Sequence, residues 1–209
     1  MIVIKKHIIF DMDGTLSDTA VATYAAVRAA KEKHGLPEVT INDVHTAMGL
    51  AGLEFFRCMY SEVSDEKLIN AGRDIDDVEN EKIIEMGKNI LFHGVTKMLE
   101  KLFENGYILY IASTGSEKHV KTVLQSTDIM KYFKSISYGR PEKISMVREI
   151  IADRNPDEFV MVGDMFKDSE AARGNNILAL GAEYGYLAKD NHHLFDSILK
   201  KPMDIFDYL

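Results

Sequence analysis

The chain has a single cysteine, Cys58, so no disulfide can close within it. A lone thiol with no pattern around it reads as a small core residue, and it fits a reducing compartment. Also missing is any run approaching the roughly 18 consecutive apolar residues of a membrane helix. The opening stretch, MIVIKKHIIF, is broken by Lys5 and Lys6 before it could serve as a signal-peptide core. Together these absences lead to the expectation of a soluble, cytoplasmic protein with no membrane partner. Positive charge is scarce as well: 25 Lys and Arg face 33 Asp and Glu, a formal net charge of -8. That balance repels phosphate polyanions and argues against nucleic acid as a partner. No internal repeat and no low-complexity tract is present.

What is present is the composition of an ordinary globular chain, 46% hydrophobic and 28% charged over 209 residues. That length suffices for one large domain or one domain with a small insert. Residues 7–11 (HIIFD) form a short apolar run that ends in an acidic loop, the pattern of a buried strand in a parallel sheet. Similar runs lie at 107–112, 135–138, 159–162 and 177–180. Helix-like stretches at 96–105, 117–126 and 142–154 separate them. Strand alternating with helix predicts right-handed βαβ units, hence an α/β fold built on a doubly wound parallel sheet.

The alternation lapses between about residues 19 and 91, where only helical periodicity is found. Val21, Tyr24 and Ala25 mark one segment, others open near Thr40, Gly52 and Asp65, and a charged stretch runs from 73 to 89. Thr40 with Asp43 resembles a capping box. The simplest organisation is an α/β core made of residues 1–17 and 92–209, with residues 18–91 inserted as a helical cap.

In an open α/β sheet, ligands bind beyond the carboxyl ends of the strands. The first strand runs into Asp11-Met12-Asp13-Gly14-Thr15, the second into Ser113-Thr114-Gly115, and the fourth into Gly163-Asp164, with Asp168 close behind. Convergence of these carboxylates needs a counter-charge: two like charges about 4 Å apart repel by roughly 4 kcal/mol at an effective dielectric of 20. Hard oxygen donors with no nearby His or Cys favour Mg²⁺ over zinc. Asp11 is the candidate nucleophile toward phosphorus. Asp13 is the candidate acid and base, a role that calls for a carboxyl whose proton affinity its neighbours raise. Ser113 and the amides of Thr114 and Gly115 suit the phosphoryl oxygens, and Lys143 at a helix start would complete the charge balance.

These segments, in this order, resemble the haloacid dehalogenase superfamily of aspartate-nucleophile phosphohydrolases. Asp11-Met12-Asp13-Gly14-Thr15-Leu16 looks like its first motif, Ser113 its second, Lys143 its third, and Gly163-Asp164 with Asp168 its fourth. The helical insert sits where the phosphoglycolate-phosphatase-like branch carries its cap. Ala171-Ala172-Arg173-Gly174 and Tyr184-Gly185-Tyr186 are similar to that branch's closing stretch. The resemblance implies Mg²⁺ held by the Asp11 carboxylate, the Asp13 backbone carbonyl and the Asp164 carboxylate, with Asp168 in support. Branch members often carry Lys-Pro at the third motif, whereas here Arg140-Pro141 precedes Lys143, so Arg140 stands as the alternative to Lys143 for the positive charge.

The implied activity is hydrolysis of a small phosphomonoester through an aspartyl-phosphate. The alternatives are a phosphomutase similar to β-phosphoglucomutase and a catalytically silent binding protein on the same fold. Neither substrate nor oligomeric state can be derived from these residues. His192 and His193 read as a solvated helix start. The acidic run Asp74, Asp76, Asp77, Glu79 and Glu81 reads as an exposed helix face, and Phe55-Phe56 as packing. Residues 49–56 (GLAGLEFF) are a candidate cap edge facing the site, with Arg57 beside it.

Overall fold

The computed structural model describes residues 5–209. Six strands, β1 (His7–Phe10), β2 (Ile108–Ala112), β3 (Phe133–Ser137), β4 (Phe159–Gly163), β5 (Leu178–Ala182) and β6 (Ser197–Leu199), form one sheet. Their order is β3-β2-β1-β4-β5-β6, with every neighbouring pair parallel. The chain therefore has an α/β fold with a doubly wound parallel sheet.

Strand side chains alternate between faces, and β1 shows why a continuous apolar run suits its central position. Ile8 and Phe10 enter one core, with Met98, Leu99 and Leu102 of α5 (Val95–Glu104) and Val120, Val123 and Leu124 of α6 (Glu117–Ser126). Ile9 enters the other, against Met146, Val147 and Ile150 of α7 (Lys143–Ile151) and Ala171 and Ala172 of α8 (Phe166–Arg173). The differences from the sequence reading lie at the edges. Edge strand β3 begins two residues before the predicted 135, because Lys134 and Ser135, both exposed, dilute its apolar signal. Strand β6 was not anticipated, since three residues carry no measurable period. Helix α7 stops at Ile151 instead of running to 154, as Ala152 turns to φ +50°.

Between β1 and α5 lie α1 (Ala20–His34), α2 (Ile41–Ala47), α3 (Leu53–Met59) and α4 (Asp65–Met86). They share an apolar cluster of their own, including Val27, Val44, Tyr60, Leu68 and Ile75. Thr40 and Asp43 close the capping box at the start of α2. The segment opening at Asp65 and the charged stretch from 73 are one helix of 22 residues. Cys58, expected in a core, is exposed, because α3 buries none of its residues fully. The two chain crossings into this helical layer pair with each other: Asp18 N donates to Ile90 O at 2.7 Å and Phe92 N to Leu16 O at 3.1 Å. Helix α4 also leans on α6 of the sheet layer. Among the described residues, no helix is long and apolar enough to cross a membrane.

Candidate active site

The strand order reverses between β1 and β4, so the loops leaving them diverge and open a crevice at their carboxyl ends. Asp11 follows β1 directly, its amide donating to Val162 O at 2.9 Å, and Asp164 follows β4. Each of Asp11, Asp164 and Asp168 places a carboxylate oxygen within 4.8 Å of the others, all three residues being buried. Acids 153 positions apart in sequence thus meet because their strands are neighbours in the sheet.

Lys143, at the first turn of α7, reaches under this cluster. Its Nζ lies 2.7 Å from Asp11 Oδ1 and 2.6 Å from Asp168 Oδ1. Burial works against its charge, but Asp11 and then Asp168 outweigh that and hold the ammonium protonated. Asp168 spends its other oxygen on the amides of Asp164 and Met165, at 3.1 and 3.0 Å. Both of its oxygens are engaged, which makes it a brace for the loop. Arg140 forms instead a two-pronged pair with Glu149 at the surface.

Thr15 donates to Asp164 Oδ1 at 2.7 Å, while the buried Asp164 Oδ2 has no hydrogen-bond partner. Burial, then Asp11 and Asp168, push the Asp164 carboxyl well above its usual range. Burial and Asp168 likewise raise Asp11 to about 7. Two acids pushed toward protonation, with one oxygen left idle in the interior, mark a place that a cation would relieve. Carboxylate oxygens alone, with neither imidazole nor thiolate among them, fit Mg²⁺. The approach to Asp164 is kept open by Gly14, at φ +81°, where a Cβ would lie 2.4 Å from Asp164 Oδ2. Gly185 is needed for the same reason, since its Cβ would lie 1.7 Å from the Gly14 carbonyl oxygen.

Asp13 turns its side chain the other way. Its Oδ1 accepts from Thr19 Oγ1 at 2.7 Å and lies 2.9 Å from His119 Nε2 on α6. The opposite ring nitrogen of His119 lies 3.5 Å from Glu79 on α4, and Thr23 of α1 donates to Glu79 as well. Burial disfavours the imidazolium, yet Asp13 and Glu79 prevail and raise His119 well above 6.5. Burial would likewise raise Asp13, but the His119 charge wins and lowers it. The proton affinity of Asp13 is thus reduced by its neighbour, contrary to the sequence expectation, and the pair's proton rests on His119.

Ser113 is buried at the end of β2, its Oγ accepting from Gly115 N at 3.1 Å. Thr114 and Gly115 open, with Asp11 and Asp13, onto a cavity of about 180 Å³. The helical layer supplies its other wall, from Met48 through Gly52, Phe55 and Phe56, and from Asp76 and Glu79. Two corrections follow. Glu79 belongs to this wall and not to a plain solvated face, because α4 turns one side of its acidic run toward α6, and Asp76, exposed as the run was read to be, borders the cavity at its rim. Phe55 and Phe56 line the cavity as well as packing. Arg57 points away, to Asp65. The role of His119 was missed, although a histidine in the first turn of the helix after a strand-end Ser-Thr-Gly was a usable signal.

A doubly wound sheet with acids, a lysine and a hydroxyl gathered at the ends of its central strands defines the class: an α/β enzyme core under a helical layer. Residues 8–182 match the model of the haloacid dehalogenase-like hydrolases, and the chain belongs to that family and is a hydrolase. A 5'-nucleotidase of Pseudomonas aeruginosa is 25% identical over 194 residues, covering 88% of this chain and 85% of its own. A phosphoglycolate phosphatase of Vibrio vulnificus is 28% identical over 197 residues, covering 87% and 85%. Among solved structures, a predicted phosphoglycolate phosphatase from Haemophilus somnus superposes with a TM-score of 0.88 at 23% identity, covering 100% of this chain and 99% of that one.

Proposed function

We propose that this hydrolase is a Mg²⁺-dependent phosphatase that cleaves a small phosphomonoester through an aspartyl-phosphate on Asp11. The observation that carries the reading is the pairing of Asp11 with the partnerless Asp164 oxygen across the β1–β4 crevice, with Lys143 beneath. The Asp11 and Asp164 carboxylates and the Asp13 backbone carbonyl would hold the ion, with Asp168 bracing Lys143 and the loop. Bound there, Mg²⁺ supplies charge neutralisation for the phosphoryl oxygens.

In the first half-reaction an Asp11 oxygen attacks phosphorus, the bond from phosphorus to the ester oxygen breaks, and that oxygen takes a proton from the Asp13–His119 pair. In the second, Asp13 takes a proton from a water that attacks the same phosphorus, the acyl phosphate bond breaks, and Asp11 and inorganic phosphate are released. Lys143 lowers the cost of bringing a phosphate dianion to a carboxylate. The Ser113 hydroxyl and the Thr114 and Gly115 amides support the transferring group. Helices α1–α4, residues 18–91 with their paired crossings, act as a cap that excludes bulk water during transfer.

Asp11→Asn should keep the fold and lower turnover of a nitrophenyl phosphate by roughly a thousandfold or more. Wild-type rates in that variant would remove Asp11 as nucleophile. Product analysis separates hydrolysis, which releases phosphate, from a mutase, which returns an isomeric sugar phosphate.

A further inference from the structure

The phosphatase reading fixes which end of the cavity takes the phosphoryl group, and this inference rests on it. We propose that the alcohol half of the substrate carries a positive charge: the enzyme acts on the phosphomonoester of a small ammonium-bearing alcohol. The cavity is established independently of its charge, as a space running from Asp11 to the wall made by α3 and α4 and open to solvent on one side. What the wall is made of decides the occupant.

Away from Asp11 it presents Asp76 and Glu79 from α4 and the rings of Phe55 and Phe56 from α3, and no lysine or arginine lines it. The cations nearby are engaged elsewhere: Lys118 with Asp77, Arg57 with Asp65, and Lys167 with the carbonyl of Gly49 at 3.0 Å. His119 offsets one charge, shared between Asp13 and Glu79. That leaves Asp76, an exposed residue at the rim of the cavity, to whose carboxylate no described side chain donates a hydrogen bond or an ion pair. A tail bearing a carboxylate would enter among like charges with nothing to meet it. An ammonium group would meet Asp76 and Glu79 directly. The Phe55 and Phe56 rings, 5.2 Å apart and nearly perpendicular, add aromatic surface that attracts a cation.

Size narrows the class further. A volume of about 180 Å³ falls below the roughly 300–1,000 Å³ of pockets that enclose drug-sized ligands. Glycolate, whose tail is a carboxylate, has the wrong charge. The substrate in the name of the phosphoglycolate phosphatase relative is therefore disfavoured here by sign.

The test uses the full chain with Mg²⁺ and four esters: aminoethyl phosphate, hydroxyethyl phosphate, phosphoglycolate and nitrophenyl phosphate. Phosphate or nitrophenol release gives kcat/KM for the wild type and for Asp76→Asn. Aminoethyl phosphate should exceed hydroxyethyl phosphate by about tenfold or more, and phosphoglycolate by about a hundredfold. In Asp76→Asn the ratio of aminoethyl to hydroxyethyl phosphate should fall by about tenfold, a ratio that does not depend on how much of the variant folds. Equal or faster cleavage of the neutral or anionic ester, or an unchanged ratio in the variant, overturns the inference while Asp11-dependent nitrophenyl phosphate cleavage leaves the phosphatase reading standing. Cleavage of none of the four overturns both.

Discussion

Lys143 is the residue on which the charge balance of the site turns. It pairs with two carboxylates whose side chains are 6% and 0% exposed. Removing one partner from a buried ion cluster is far costlier than removing a surface pair, because the charges left behind have no water. Lys143→Met should destabilise the metal-free protein by about 3–5 kcal/mol, read from urea unfolding. A loss under about 1 kcal/mol would mean that the carboxylates are solvated or neutral without it. At this scale the sequence was partly legible. The candidate nucleophile Asp11, its neighbour two residues on, and the acids after β4 stood in a recognisable order, but nothing in the order alone separated Lys143 from Arg140. That choice was made by helix geometry: Lys143 lies on the inward side of the first turn of α7, while Arg140 lies before it, within reach of Glu149. His119 and Glu79 escaped notice because each is one ordinary residue on a helix, and only the contact of α4 with α6 makes them a pair.

Among the elements, the loop after β5 ties the helical layer to the sheet. Tyr186 Oη accepts from Ala20 N, at the start of α1, at 2.8 Å and donates to Asp18 Oδ1 at 2.7 Å. Gly185 lets that loop pass against the Gly14 backbone. Tyr186→Phe leaves both partners short of a hydrogen bond and should cost about 1–3 kcal/mol in denaturant unfolding. A neutral result would show that water replaces the hydroxyl. The helices of the insert were legible in outline through their apolar spacing and through the Thr40–Asp43 cap. The continuity of α4 was not, since its charged middle carries a weak period until its partners α1 and α6 are known. Strand β6 was invisible, as so short an element is specified by the edge of β5 and not by its own residues.

For the molecule as a whole, the proposed Mg²⁺ would compete with protons for one site. Asp11 is held at about 7 against an ordinary 3.8. An acid whose folded value is raised adds stability that is fully present below its unfolded value and lost as pH rises through the folded one. The metal-free protein should therefore lose the Asp11 contribution between about pH 4 and about pH 7. Mg²⁺ needs the ionised carboxylate, so its stabilising effect should grow over the same interval. Thermal midpoints with and without saturating Mg²⁺ should differ more at about pH 8 than at about pH 5. An increment independent of pH would place the ion away from Asp11 and Asp164.

The sequence by itself determined the α/β architecture and the order of the chemical groups along it. Those depend on local signals: apolar runs that must be covered on both faces, and small or acidic residues that must follow them as turns. Which groups share a cavity was decided only by the tertiary structure. Parallel pairing of β1 with β4 brought Asp11 to Asp164, and the lean of α4 on α6 brought Glu79 to His119. Such juxtapositions come from packing between distant segments, whose energy is spread over many apolar contacts and written in no single residue.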